Sequence, residues 1–136
     1  MPWAALKRRL VVWRWERRLG DKRRVLVWGD SNSCLPGRTH CWPGLLARRH
    51  RDRVHIFNDS VCGRTAGFDR RRLNTIRILD RRLSWYPRLD HVIVMLGTND
   101  VKARYGIDGH DRIDMHFRRI AEIISRRQPQ VRPLLV

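Results

Sequence analysis

Val25-Leu26-Val27-Trp28-Gly29-Asp30-Ser31-Asn32-Ser33 decides how this chain is read. Four apolar residues run directly into a glycine, an acid and a serine. So short and apolar a run, rich in β-formers, predicts a buried strand. A serine on the turn leaving such a strand stands at the carboxyl end of a parallel sheet, where a nucleophile belongs. A Gly-Asp-Ser turn alone is common. Here Gly63-Arg64-Thr65 and Gly97-Thr98-Asn99-Asp100 follow in the same order and setting.

Outward from that stretch the elements alternate. Cys41 to Arg49 reads as a helix, with Pro43 in its first turn where a missing N–H costs nothing. Val54 to Asn58 is a second strand. Asp69 can cap a helix that carries Leu73, Ile76, Leu79 and Leu83 on one face, and Pro87 ends that region. His91 to Leu96 is the clearest strand, and its continuous apolarity predicts burial on both faces. Ile113, Phe117, Ile120 and Ile124 stripe a helix with Asp111 and Asp114 near its start and Arg126 and Arg127 at its end. Val131 to Val136 reads as a fourth strand, interrupted by Pro133. Strand, helix, strand, helix, strand, helix, strand predicts a three-layer α/β fold on a parallel sheet. In such folds the loops at the strands' carboxyl ends meet in one crevice. The three motifs are therefore expected to converge.

The residues that converge suit attack on an ester. That reaction needs an activated hydroxyl and donors for the oxyanion that develops. Ser31 is the candidate nucleophile and its own N–H a first donor. The Gly63 N–H is a second, and the Asn99 amide a third. Removing one such donor costs about 3 kcal/mol of barrier, so three together supply several.

In these motifs the chain resembles the SGNH, or GDSL-type, hydrolases. Trp42-Pro43-Gly44-Leu45-Leu46, Gly63-Arg64-Thr65 and Val92 to Asp100 are similar to the arylesterase and acyltransferase branch. The resemblance covers about residues 22–136, behind a basic extension of residues 1–21. It implies a flavodoxin-like α/β fold, and action on small carboxylic esters through an acyl-serine intermediate. It implies Ser31 as nucleophile and Ser31, Gly63 and Asn99 as oxyanion hole. Asp30 and Asp100 would hold the turns and Arg64 would brace the second. No metal or organic cofactor is implied.

The family's fourth motif, Asp-x-x-His on a loop after a fifth strand, has no counterpart in its expected place. The sequence reaches Val136 at about the fourth strand, so a domain without its last strand and helix is expected. The fourth strand would then be an edge, and part of one sheet face would lack cover. Asp52-Arg53-Val54-His55 matches the spacing, but it enters the second strand, at the far end of the sheet from Ser31. His110 and His116 follow the third motif, and nothing in the pattern makes either the base. A catalytically inactive binding module is the alternative reading.

Composition bounds the rest. The chain has 136 residues, enough for one domain with one core. Mean hydropathy is -0.55. Net charge is +17, and of 30 basic residues only Lys7, Lys22 and Lys102 are lysine. A polyanion partner, nucleic acid or anionic membrane, would fit such charge. The scatter of the arginines, without interleaved aromatics, favours compositional bias over nucleic-acid binding. Cys34, Cys41 and Cys62 form no disulfide framework or zinc spacing and read as buried small hydrophobes. Trp28 and Trp42 read as core. No signal peptide or membrane span is evident, so a cytoplasmic protein is expected. Trp3, Leu6, Leu10 and Trp13 fall at helical spacing among arginines, which fits a helix on a membrane surface or a packing helix.

Overall fold

A computed structural model describes residues 3–68, 72–101 and 108–136, with the side chains of 108–111 excepted. Four parallel strands form one sheet: β1 (Arg23–Gly29), β2 (Val54–Asn58), β3 (His91–Met95) and β4 (Leu134–Leu135). Their spatial order is β2-β1-β3-β4. Among the described residues four helices connect or precede them: α1 (Trp3–Leu19), α2 (Trp42–Arg49), α3 (Thr75–Leu83) and α4 (Asp108–Arg127). The α/β fold with a parallel sheet is the one the motif order predicts. From β1 the chain moves to one side for β2 and to the other for β3. The loop after β1 thus stands at a topological switch point, where open α/β sheets hold their ligands.

Side-chain alternation assigns the layers. Leu26, Trp28, Phe57, Val92 and Val94 face one way and join a buried cluster with Leu79 and Leu83 of α3 and Ile120, Ile123 and Ile124 of α4. α1 lies on this face too: Trp15 packs edge-on against Phe57 at 5.2 Å, and Leu19 is buried in the same cluster. The other face carries α2. Asn58 points there, its amide donating to the Ser33 carbonyl at 2.9 Å and to Cys41 Sγ at 3.6 Å.

Four expectations change on inspection. β3 is not buried on both faces: Val92 and Val94 are 1% and 0% exposed, whereas Ile93 and Met95 are half-buried, because only one of their two faces is fully roofed by helices. α3 starts at Thr75, capped by Asn74, whose Oδ1 accepts from the Arg77 N–H at 3.3 Å. Leu73 lies before the helix, its carbonyl accepting from Thr65; Asp69 lies outside the described residues. α4 begins at Asp108, so Asp114 falls past its first turn, where it pairs with Arg118 at 3.0 Å. In α1 the stripe Trp3, Leu6, Leu10 and Trp13 faces solvent. The inward stripe is Ala5, Arg8, Val12, Trp15 and Leu19. Arg8 hides it in the sequence, yet its guanidinium reaches Ser84 Oγ at 3.1 Å.

β4 is an edge of two residues, paired through Ile93 with Leu134 and Val94 with Leu135. Leu134 and Val136 remain 58% and 59% exposed. No helix among the described residues is long and apolar enough to cross a membrane.

Candidate active site

β1 delivers the first motif. Gly29 is its last residue, and a Cβ there would stand 2.6 Å from Ser33 Oγ, so only glycine lets the chain fold back this tightly. Asp30 is buried and caps a single 3-10 turn, Ser31–Ser33, its Oδ1 accepting from the Asn32 N–H at 2.9 Å. Ser33 anchors the turn from below: its Oγ accepts from Trp42 Nε1 at 3.2 Å. Ser31 is thereby lifted half-exposed at the sheet's carboxyl end.

The second motif hangs from β2 and is held from three sides. Val61 N–H donates to the Gly29 carbonyl at 3.0 Å, prolonging the β1–β2 pairing. Gly63 turns the chain with φ of 79°, a conformation that disfavours side chains. Arg64 is 3% exposed, with its guanidinium carbon 3.8 Å from the centre of the Trp28 ring. It donates to the Asp59 carbonyl and, at 3.4 Å, to Asp59 Oδ1. Asp59 Oδ2 accepts from Arg82 at 2.7 Å and from the Tyr86 hydroxyl at 2.6 Å. Burial alone would raise the Asp59 carboxyl; the bonds from Tyr86 and Arg82 outweigh it and hold the group below the usual carboxylate range. The same burial and the Asp59 charge push the Tyr86 phenol up.

The third motif follows β3. Gly97 has φ of 113° and lets the chain turn inward. Asp100 is buried and accepts from the Ala66 N–H at 2.9 Å and the Gly67 N–H at 3.2 Å, tying the third loop to the second. Asn99 is buried, and its Nδ2 donates to the Arg64 carbonyl at 3.0 Å and to Asp30 Oδ2 at 3.3 Å. Asn32 Nδ2 donates to Thr98 Oγ1 at 3.2 Å. Asn99 thus joins all three motifs.

The converged loops leave backbone donors for an oxyanion. Neither the Ser31 N–H nor the Gly63 N–H has an acceptor among the described residues. The Asn99 amide differs: both of its hydrogens are engaged. For it to serve a substrate oxygen, the longer bond to Asp30 must give way.

Among the described residues no histidine is hydrogen-bonded to Ser31; His40, in the loop after its turn, pairs through Nδ1 with Thr39 Oγ1 at 2.9 Å. His55 pairs in register with Arg24, near the start of β1, and stacks near Trp15 and Phe57 at the opposite end of the sheet. Burial, with Lys22 and Arg18 nearby, lowers its basicity. His116 is buried against Gly67, where a Cβ would meet its ring at 2.4 Å. Burial lowers its basicity too, and its Nδ1 has no partner. The His110 side chain lies outside the described residues. No group of three or more metal-binding side chains occurs among the described residues.

Sequence reasoning missed several supports. Of the cysteines only Cys41 is buried; Cys34 is half-buried and Cys62 exposed, their sulfurs 3.3 Å apart. Trp28 is core, as expected, whereas Trp42 is half-buried and tethers Ser33. The network of Asp59, Arg82 and Tyr86 had one signal, the charged Arg64 in an otherwise small-residue turn.

No protein-family model matches the chain, and no curated protein does. Solved structures do. A protein assigned as an arylesterase in Agrobacterium tumefaciens superposes with a TM-score of 0.70 at 28% identity, over 83% of this chain and 62% of that one. The native aryl esterase of M. smegmatis does so with a TM-score of 0.69 at 25% identity, over 83% and 62%. An SGNH-hydrolase family esterase gives a TM-score of 0.66 at 25% identity, over 85% and 59%. The chain spans about three fifths of the length of these neighbours. With its three motifs converged at one end of a parallel sheet, this chain has the architecture of an SGNH hydrolase and resembles carboxylic ester hydrolases.

Proposed function

We propose that the chain is a serine ester hydrolase or acyltransferase of SGNH type, with Ser31 as nucleophile on small carboxylic esters. The observation that carries this is the pair of unengaged N–H groups of Ser31 and Gly63 in loops that Asn99 binds together. A carbonyl oxygen placed between them would gain two donors as its charge develops, with Asn99 as a third once its amide swings from Asp30. Attack by Ser31 Oγ breaks the ester bond, releases the alcohol and leaves an acyl-serine; water then frees the acid. The serine proton needs a base, and the family resemblance puts it in an Asp-x-x-His segment. Asp30 and Asp100 act as positioning residues, and Arg64 braces the Gly63 turn.

A fluorophosphonate probe tests the assignment. Intact mass and peptide mapping should show one adduct on Ser31, absent from Ser31→Ala. Labelling elsewhere, or none in the folded chain, overturns it. The second case favours a catalytically inactive module, a reading supported by the engaged Asn99 amide.

The solvent-facing stripe of α1 supports a membrane contact. Trp3, Leu6, Leu10 and Trp13 lie exposed beside Lys7, Arg14 and Arg17, as on helices that rest in anionic lipid surfaces. Co-sedimentation with phosphatidylserine vesicles, lost on Trp3→Ser with Trp13→Ser, is expected; equal binding by the variant contradicts it.

A further inference from the structure

Cys34 and Cys62 are 28 residues apart in sequence, and their Sγ atoms lie 3.3 Å from each other. Each adjoins a different part of the candidate site. Cys34 closes the 3-10 turn of Ser31, its N–H donating to the Ser31 carbonyl at 3.2 Å. Cys62 directly precedes Gly63. Cys62 is exposed and Cys34 half-buried, so a small oxidant can reach the pair. The third cysteine does not compete: Cys41 is buried, with its Sγ on the Arg38 carbonyl at 3.5 Å.

We infer that Cys34 and Cys62 form a disulfide under oxidising conditions, fastening the nucleophile turn to the oxyanion glycine. A hydroperoxide is the oxidant. The Cys62 thiol takes one peroxide oxygen, giving a sulfenic acid and releasing water or an alcohol. The Cys34 sulfur then attacks the Cys62 sulfur, the S–O bond breaks, and the hydroxyl leaves as water with the Cys34 proton. The two thiols lose two electrons in all, and the peroxide O–O bond takes them. The order follows from the environments. Cys62 is exposed and meets the oxidant first, whereas Cys34 is half-buried, and burial, then the bond to Cys62, push its thiol up to about 11. The cross-link restrains the unfolded chain and holds Gly63 against the serine turn. What the clamp does for an ester reaction rests on the reading of Ser31 and Gly63 above; the cross-link itself does not.

The full chain is treated with hydrogen peroxide or with dithiothreitol. Free thiols are alkylated, and unreduced peptides are mapped by mass spectrometry. A Cys34–Cys62 linked peptide is expected after peroxide, with Cys41 alkylated only on denaturation. The melting temperature should rise by on the order of 10 °C and return on reduction. The exposed-site variant Cys62→Ser should lose both responses, as should Cys34→Ser. Sulfinic acid at either residue without a linked peptide overturns the inference, as does linkage between separate chains. A linked peptide without any change in melting overturns the clamp. None of these readouts depends on Ser31, so their failure is distinct from failure of the proposed ester chemistry.

Discussion

The two flanks of the sheet are built to different standards. On the β2 flank, the loop after Asn58 is bound into the fold at several residues. Val61 bonds to Gly29, Arg64 lies under Trp28 and on Asp59, Thr65 bonds to Leu73, and Ala66 and Gly67 donate to Asp100. On the β4 flank, two residues pair with β3 and their side chains stay largely in water. Both flanks derive from apolar sequence beside β1 and β3. The contrast shows that burial alone does not shape the candidate site. Its geometry comes from a few buried polar groups, several of whose partners are drawn from other loops.

The largest expected effect breaks the β2 flank. Arg64→Ala leaves Asp59 buried with one guanidinium fewer and removes the platform under Trp28. Losing one partner of a buried pair costs about 3–5 kcal/mol, which urea unfolding would register. A loss under about 1 kcal/mol would mean that Arg82 and Tyr86 hold Asp59 without help.

Gly67→Ala probes the same flank at the Asp100 tether. Its new Cβ would overlap the His116 ring, and overpacking costs about 1–3 kcal/mol. Adding His116→Ala should recover part of that loss. Additive losses in the double variant would show that the two residues do not press on each other.

His116 also sharpens the comparison through pH. Burial holds its folded-state basicity below the usual 6.5. The unfolded chain therefore binds a proton that the folded chain refuses. Stability should be level above about pH 6.5 and fall as pH drops toward the lower folded value. The urea midpoint against pH should flatten in that window in His116→Phe, although His55, lowered likewise, leaves some slope.

The smallest effect is expected on the other flank. Leu134→Ser alters a side chain that is already 58% exposed, and the unfolding midpoint should move by no more than about 0.5 kcal/mol. A loss near 2 kcal/mol would show that β4 carries more of the fold than its burial suggests.

Much of this was legible in the sequence, for definable reasons. Parallel order followed from apolar runs separated by helical stripes, and the site from motifs that end those runs. Local signals misled where tertiary partners decide. Asn74 caps α3 because Thr65 and Ala66, distant in sequence from the helix start, take up its next N–H groups. The inward stripe of α1 contains Arg8, so an exposed stripe looks more apolar. The contact of Cys34 with Cys62 left no trace in their spacing, because it depends on how two loops cross. Surface arginines gave no site either. Arg118, Arg119 and Arg126 sit in exposed ion pairs, each worth about 0–1 kcal/mol.

The most direct test of the central claim is hydrolysis of p-nitrophenyl acetate by the full chain and by Ser31→Ala, each shown to be folded by circular dichroism. Turnover above the uncatalysed rate that disappears in Ser31→Ala is the predicted result. Equal rates in the two folded proteins would contradict a working Ser31 nucleophile in this chain and leave the catalytically inactive module.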